Sequence, residues 1–326
     1  MNKIEISYRT IIFAVALVAG LWVLGQIRDI LFLLFIAFLL MTAIYPLVLV
    51  LEKTRMPRVL SIGFVYLVVF GLFGMSLAGT IPLLVTQSTR LLTDLPTFAA
   101  KVFPYWNIDV DTLTRQIAPI SENIVKVTVG IFSNLITTLT VLVFTFYFLL
   151  ERPRAEQTLL PLVGSMMTKR ILDIFRAIER RLGAWVRGEL ILMASIGILS
   201  YIGLTILHID FALPLAIIAG VLEIVPTIGP IVSAIPAVLV ALATSPFLAL
   251  TVIALYFIIQ QLENNILVPI VMKKSIGFSP LVTILSVMIG GRFAGIVGAI
   301  LAVPLVLVLQ IIINELFIQP PKTSAR

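Results

Sequence analysis

The chain contains no cysteine, which excludes disulfides, thiolate-held metals, iron–sulfur clusters and a thiol nucleophile. Histidine is nearly absent as well: His208 stands alone, too few nitrogens for a histidine-built zinc site. Charge is the third shortage. Only 12% of the 326 residues are charged and 60% are apolar, against about 25% and 45–50% in an average globular protein. With a mean hydropathy of +1.15, that balance places the chain in a membrane and excludes disordered, collagen-like and coiled-coil classes. No G-x-x-x-x-G-K-[ST], H-E-x-x-H or G-x-S-x-G motif occurs. The expectation is therefore a protein that is not an enzyme and carries no cofactor or metal.

What is present is a series of apolar stretches near the roughly 20 residues a spanning helix needs. They run from about Ile11 to Gln26, Ile30 to Leu51, Val59 to Val85, Val127 to Leu150, Leu190 to Leu207, Phe211 to Ala243 with an interruption, Phe247 to Val268, and Leu281 to Phe317 with a second interruption. The fold class is all-α: a polytopic membrane bundle with broken or re-entrant helices in its C-terminal half. The first two stretches, parted by Arg28-Asp29, read as a tight helical hairpin. No small-x-small cleavage site follows the first, so it reads as a span rather than a signal peptide.

Between spans lie two polar regions. Residues 86–126 balance four charges of each sign around Pro96, Pro104 and Pro119 and read as short amphipathic helices outside the bilayer or along its surface. Residues 151–188 form a basic segment in which Leu172, Phe175, Ile178, Leu182 and Trp185 recur at steps of three and four, an amphipathic helix expected on the cytoplasmic leaflet. The domain reading is 1–85 membrane, 86–126 outward, 127–150 membrane, 151–188 cytoplasmic helix, 189–318 membrane core and 319–326 cytoplasmic tail.

The net charge of +7 would suit nucleic acid if clustered. Its distribution fits a membrane protein better, with no nucleic-acid partner. Alternate connections hold 17 Lys and Arg against 6, and the richer side is expected to be cytoplasmic. Both termini then face the cytoplasm and residues 86–126 face outward. Trp22, Trp106 and Trp185 read as interfacial anchors, with lipid as their partner.

An ionisable group at membrane depth costs about 2.5–3.5 kcal/mol on insertion scales, so each needs a partner or a task. Three places qualify. Glu223 to Pro230 places Pro226, Gly229 and Pro230 beside an acid, and the helix must break there. Broken backbone is tolerated in a bilayer where protein or a water-filled cavity surrounds it, as in transporter sites. Gln260, Glu263 and Asn264 form a polar stripe by their spacing, expected to face the bundle interior. Gly290-Gly291-Arg292-Phe293-Ala294-Gly295 interrupts the last stretch; its small residues allow close helix packing, and Arg292 is expected to pair with Glu223 or Glu263. His208 and Asp210 read as a solvated turn.

These residues resemble the autoinducer-2 exporter family of bacterial membrane proteins. The motifs are Phe144 to Arg152 (FTFYFLLER), Arg187-Gly188-Glu189, VPTIGP at Val225 to Pro230, QQLENNILVP at Gln260 to Pro269, and GGRFAGIVGAILAVP at Gly290 to Pro304. Two positions depart from the family pattern: Thr227, where an aromatic residue is common, and Glu189, where a polar, non-acidic one is. The resemblance implies about eight transmembrane helices in the bacterial cytoplasmic membrane and a homo-oligomer, with a pentamer as its size. It also implies secondary transport, either export of an autoinducer-2-like solute or exchange of a monovalent cation such as Na+ for H+.

The leading expectation is a secondary transporter whose pathway is bordered by Glu223, Pro226, Gly229, Pro230, Gln260, Glu263, Asn264 and Arg292. Glu223 or Glu263 would bind a cation or proton. A passive oligomeric pore and a non-transport membrane scaffold are the alternatives.

Overall fold

The computed structural model describes residues 8–71, 86, 90, 135–226, 228–272 and 280–315. Among them the chain is helical throughout: α1 (Tyr8–Gln26), α2 (Arg28–Glu52), α3 (Arg58–Gly71), α4 (Leu135–Glu151), α5 (Ala155–Ile206), α6 (Ala212–Leu222), α7 (Ile228–Thr244), α8 (Pro246–Leu262), α9 (Val268–Val271) and α10 (Pro280–Ile313). A 3₁₀ turn, Arg152–Arg154, links α4 to α5, and a π turn, Glu263–Leu267, links α8 to α9. Five of the helical stretches are long and apolar enough to cross a membrane. Residues 86–126 fall outside the description except for 86 and 90, as do Trp106 and the Lys273-Lys274 pair.

The expected hairpin between the first two spans is not formed. Ile27 donates to Val23 and Leu31 donates to Ile27, so the four-residue hydrogen-bond pattern continues on both sides of one bent residue. A turn between antiparallel helices needs at least two non-helical residues, and here only Ile27 leaves helical geometry (φ −97°, ψ 8°). The polar pair Arg28-Asp29 is accommodated in the first turn of α2 instead.

The basic segment and the fifth span are a single rod. After a break at Gly164, whose positive φ of 77° interrupts α5, the helix continues to Ile206, about 63 Å at 1.5 Å per residue. The apolar stripe of the basic segment does not lie on lipid. Leu172, Ile178, Leu182 and Trp185 are buried, the last three in a core shared with α2 and α10. Trp185, at 4% exposure, is a core residue rather than an interfacial anchor, whereas Trp22 is exposed. The stripe's period could not say whether protein or lipid covers it.

Two helical hairpins fill the C-terminal half. In the first, α6 and α7 are joined by Glu223 to Thr227, and a Cβ on Gly229 would collide with the carbonyl of Leu222. Glycine is therefore required at the start of α7. At 11 residues, α6 measures only about 16 Å, half of a roughly 30 Å hydrocarbon layer, so the hairpin tip is re-entrant. In the second, α10 folds back on itself at Ala294 and Gly295, the latter at φ 59°, a conformation open to glycine at no steric cost. Gly290 and Gly298 meet backbone to backbone, and Ala302 lies 3.0 Å from a Cβ built on Gly290. These residues are 8 and 12 apart in sequence and would lie far apart on a straight helix. The small-residue stripe thus packs one arm of the hairpin on the other, not on a separate helix.

Candidate functional site

The first hairpin tip is built by local hydrogen bonds. Glu223 donates its N–H to the Ala219 carbonyl (3.2 Å) as the last helical bond of α6, Val225 to Leu222 (3.0 Å) and Gly229 to Val225 (2.9 Å). Pro226, which lacks an N–H, interrupts this ladder, and Pro230 falls in the first turn of α7, where a missing donor costs nothing. Glu223 consequently caps the C-terminal end of α6, where carbonyls rather than amides point outward. That end attracts cations and gives an anion no help.

The tip is driven into the protein. Glu223 is 1% exposed and Glu263, at the first position of the π turn, is 5% exposed. The two carboxyl groups are within hydrogen-bonding reach of each other. Gln260 donates Nε2–H to Glu263 Oε2 at 3.0 Å, while Glu223 Oε2 is buried with no partner. Two acids 40 positions apart are thereby brought together from separate elements.

A third acid joins them. Glu189, on α5, is 5% exposed, its Oε1 is buried without a partner, and it lies close enough to interact electrostatically with both Glu223 and Glu263. Its neighbour Gly188 is packed so tightly that a Cβ would press on Met272 Sδ at 2.7 Å, which seats this stretch of α5 against the end of α9. Arg187 does not neutralise the cluster: its Nη1 donates to the carbonyls of Thr42 (3.3 Å) and Ala43 (3.4 Å) on α2. Among the described residues no ion pair involves Glu189, Glu223 or Glu263, and no group of three acidic or histidine side chains is spaced to hold a metal ion.

The cluster sits at depth. Thr42 lies 14 residues from the start and 10 from the end of the bilayer-length helix α2, about 21 Å and 15 Å respectively. Arg187 reaches this level, and Glu189 follows about 3 Å further along α5.

The other predicted residues separate. Pro226, Pro230 and Gln260 are half-buried around the acids and Gly229 is buried. Asn264 is exposed: the π turn that begins at Glu263 widens the helix and changes its register, so the stripe ends at Glu263 instead of continuing. Arg292 is exposed at the tip of the second hairpin and pairs with neither acid; the backbone reversal that the glycines permit carries it away from them. His208 and Asp210 are exposed in the turn between α5 and α6, as expected of a solvated turn.

A helical membrane bundle with a buried acid cluster at a re-entrant tip is the frame in which the comparisons with known proteins belong. Residues 11–318 match the family described as AI-2E family transporter. The chain belongs to the AI-2E transporter family. It is 30% identical over 290 residues to YueF of Bacillus subtilis (strain 168), covering 81% of this chain and 78% of that protein. YrrI of the same organism is 29% identical over 296 residues, covering 85% and 83%. The AI-2 transport protein TqsA of Escherichia coli (strain K12) is 27% identical over 295 residues, covering 83% and 81%. By family the chain is a multi-pass membrane transport protein.

Sequence reading passed over three features of this region. Glu189 was noted only as a departure from the family pattern. Arg187 carried no signal as a clamp on α2 carbonyls. The pairing of Arg152 with Glu179 was hidden because its partners stand 27 positions apart. An acid on the buried side of an amphipathic helix, in register with its apolar stripe, is the signal that could have found Glu189.

Proposed function

We propose that the chain is a secondary transporter that moves a small solute in exchange for a proton or a monovalent cation, with Glu223 and Glu263 as its coupling carboxyls. The observation that carries this reading is the meeting of those two acids, buried and without a basic partner among the described residues, at the tip of a re-entrant hairpin. Two carboxyl groups in contact cannot both remain ionised, so the pair holds a proton between them or a cation beside them. Either ligand neutralises the same charge, and competition between them is the elementary step of exchange. Coupling follows if the inward-open and outward-open states bind that ligand with different affinities.

The similarity to TqsA supports an autoinducer-2-like solute as the cargo; exchange of a monovalent cation for protons is the alternative cargo that the same carboxyls serve. The excess of Lys and Arg supports placing the loop Glu52 to Arg58 and the basic part of α5 in the cytoplasm. The bend at Ile27 withdraws the reason for placing the N-terminus with them.

The test is flux into vesicles holding the purified full-length protein, with and without an imposed proton or sodium gradient. Uphill movement driven by the gradient is expected, and it should be lost in Glu223→Gln and in Glu263→Gln. Normal driven flux in both variants refutes the role of these acids. Downhill flux that neither saturates with solute nor responds to an imposed ion gradient identifies a pore.

A further inference from the structure

We propose that Glu189 is a separate proton-holding group of this site, keeping a proton of its own beside the one shared by Glu223 and Glu263, so that the loaded site carries two.

The argument starts from what surrounds the side chain. Glu189 is buried, its Oε1 accepts no hydrogen bond, and among the described residues it has no ion pair. Among the described residues, the titratable groups that interact with it electrostatically are Glu223, at the end of α6, and Glu263, just after α8, both acids. On its own helix Arg187 is turned away to the carbonyls of α2. The elements at its back, α9 and the residue after it, contribute Val271 and Met272 against Gly188, both uncharged. From α10, Arg292 is exposed at the far tip. Among the described residues, an ionised Glu189 would thus be a buried anion close to two more acids, with neither a hydrogen-bond donor nor an ion-pair partner, the arrangement that proteins avoid.

The Glu223–Glu263 pair differs in kind. Its members reach each other, and Gln260 supplies a donor to Glu263, so one negative charge can be retained there and one proton shared. Glu189 has no donor among the described residues, and its neutral form needs a whole proton. That proton comes from water on the side to which the site is open, forms an O–H bond on the carboxylate, and returns to water on the other side.

The inference rests on the carrier reading for its purpose, and infrared spectroscopy of the full-length protein in phosphatidylethanolamine–phosphatidylglycerol vesicles separates the two. At neutral pH the protein is expected to show two carboxylic-acid C=O bands. Glu189→Gln should lose one of them, Glu189→Asp should keep it at a shifted frequency, and Glu223→Gln should leave it in place. In driven flux, Glu189→Gln should halve the protons moved per cycle, from two to one. A Glu189→Gln spectrum identical to that of the unaltered protein, or a Glu189→Asp protein lacking the band, overturns the proposal; the Asp variant also decides the matter if the Gln variant fails to fold. A Glu189 band present in a protein that shows no driven flux in any form refutes the carrier reading and leaves the proton assigned.

Discussion

Two acids ten positions apart on α5 are both buried and have opposite surroundings. Glu179, 7% exposed, receives two parallel hydrogen bonds from Arg152, Nε at 2.7 Å and Nη2 at 2.8 Å. The Arg152 guanidinium also lies over the Tyr45 ring at 5.5 Å, and Arg58, which pairs with Glu52 at 2.7 Å and donates to the Leu149 carbonyl, faces the same ring at 5.9 Å. This knot ties α2, α3, α4 and α5 together, and every charge in it has a partner. Glu189, on the same helix, has no ion pair among the described residues and interacts electrostatically with two further acids. A bidentate arginine pair fixes geometry, whereas a buried acid left without one must find its positive charge elsewhere, in a proton or a transported cation. The first arrangement holds the bundle together; the second is the one proposed to be loaded and emptied.

The contrast is broken most forcefully at Arg152. Arg152→Ala leaves Glu179 buried without its partner, and the loss should approach about 3 kcal/mol, read as a lower midpoint in a detergent unfolding titration. Driven flux per folded molecule should persist. A smaller loss, of about 1–3 kcal/mol, is expected for Gly298→Val, because the added side chain meets the Gly290 carbonyl and pries the second hairpin apart. Glu223→Gln should behave in the opposite way, changing the unfolding midpoint by less than about 1 kcal/mol, since no ion pair is broken, while driven flux falls at least about tenfold. Arg292→Ala should change neither, staying within about 0.5 kcal/mol by the same titration and matching the unaltered protein in flux. Parallel losses of stability in Arg152→Ala and Glu223→Gln would erase the distinction between the two groups of acids.

The helix breaks were legible because proline and glycine act locally: VPTIGP and GGRFAG cannot continue a regular helix whatever surrounds them. The acids Glu223 and Glu263 were legible as intramembrane charges, but their meeting depends on a hairpin bringing residues 40 positions apart into contact, which no local pattern encodes. Arg292 misled for the same reason. Its charge suggested a partner, yet the reversal at Ala294-Gly295 decides where it points. Asn264 shared a helical face with Gln260 only while the helix stayed α, and the π turn ended that register. Trp185 and its stripe were recognised as one face of a helix, but periodicity does not distinguish a face covered by protein from one covered by lipid. The bend at Ile27 was missed because a polar pair between apolar runs also fits a helical turn.

Absence of cysteine gives the most direct test of the central claim, that the acids lie in a protein-enclosed site reached by water from each side in turn. A single thiol introduced as Ile224→Cys, at the half-buried neighbour of Glu223, in the full-length protein in vesicles, is the only target for a membrane-impermeant maleimide. The account predicts labelling from both faces of the membrane, at rates that change by several fold in opposite directions when the ion gradient is reversed. No labelling from either face under any gradient, with the folded protein confirmed, would contradict it.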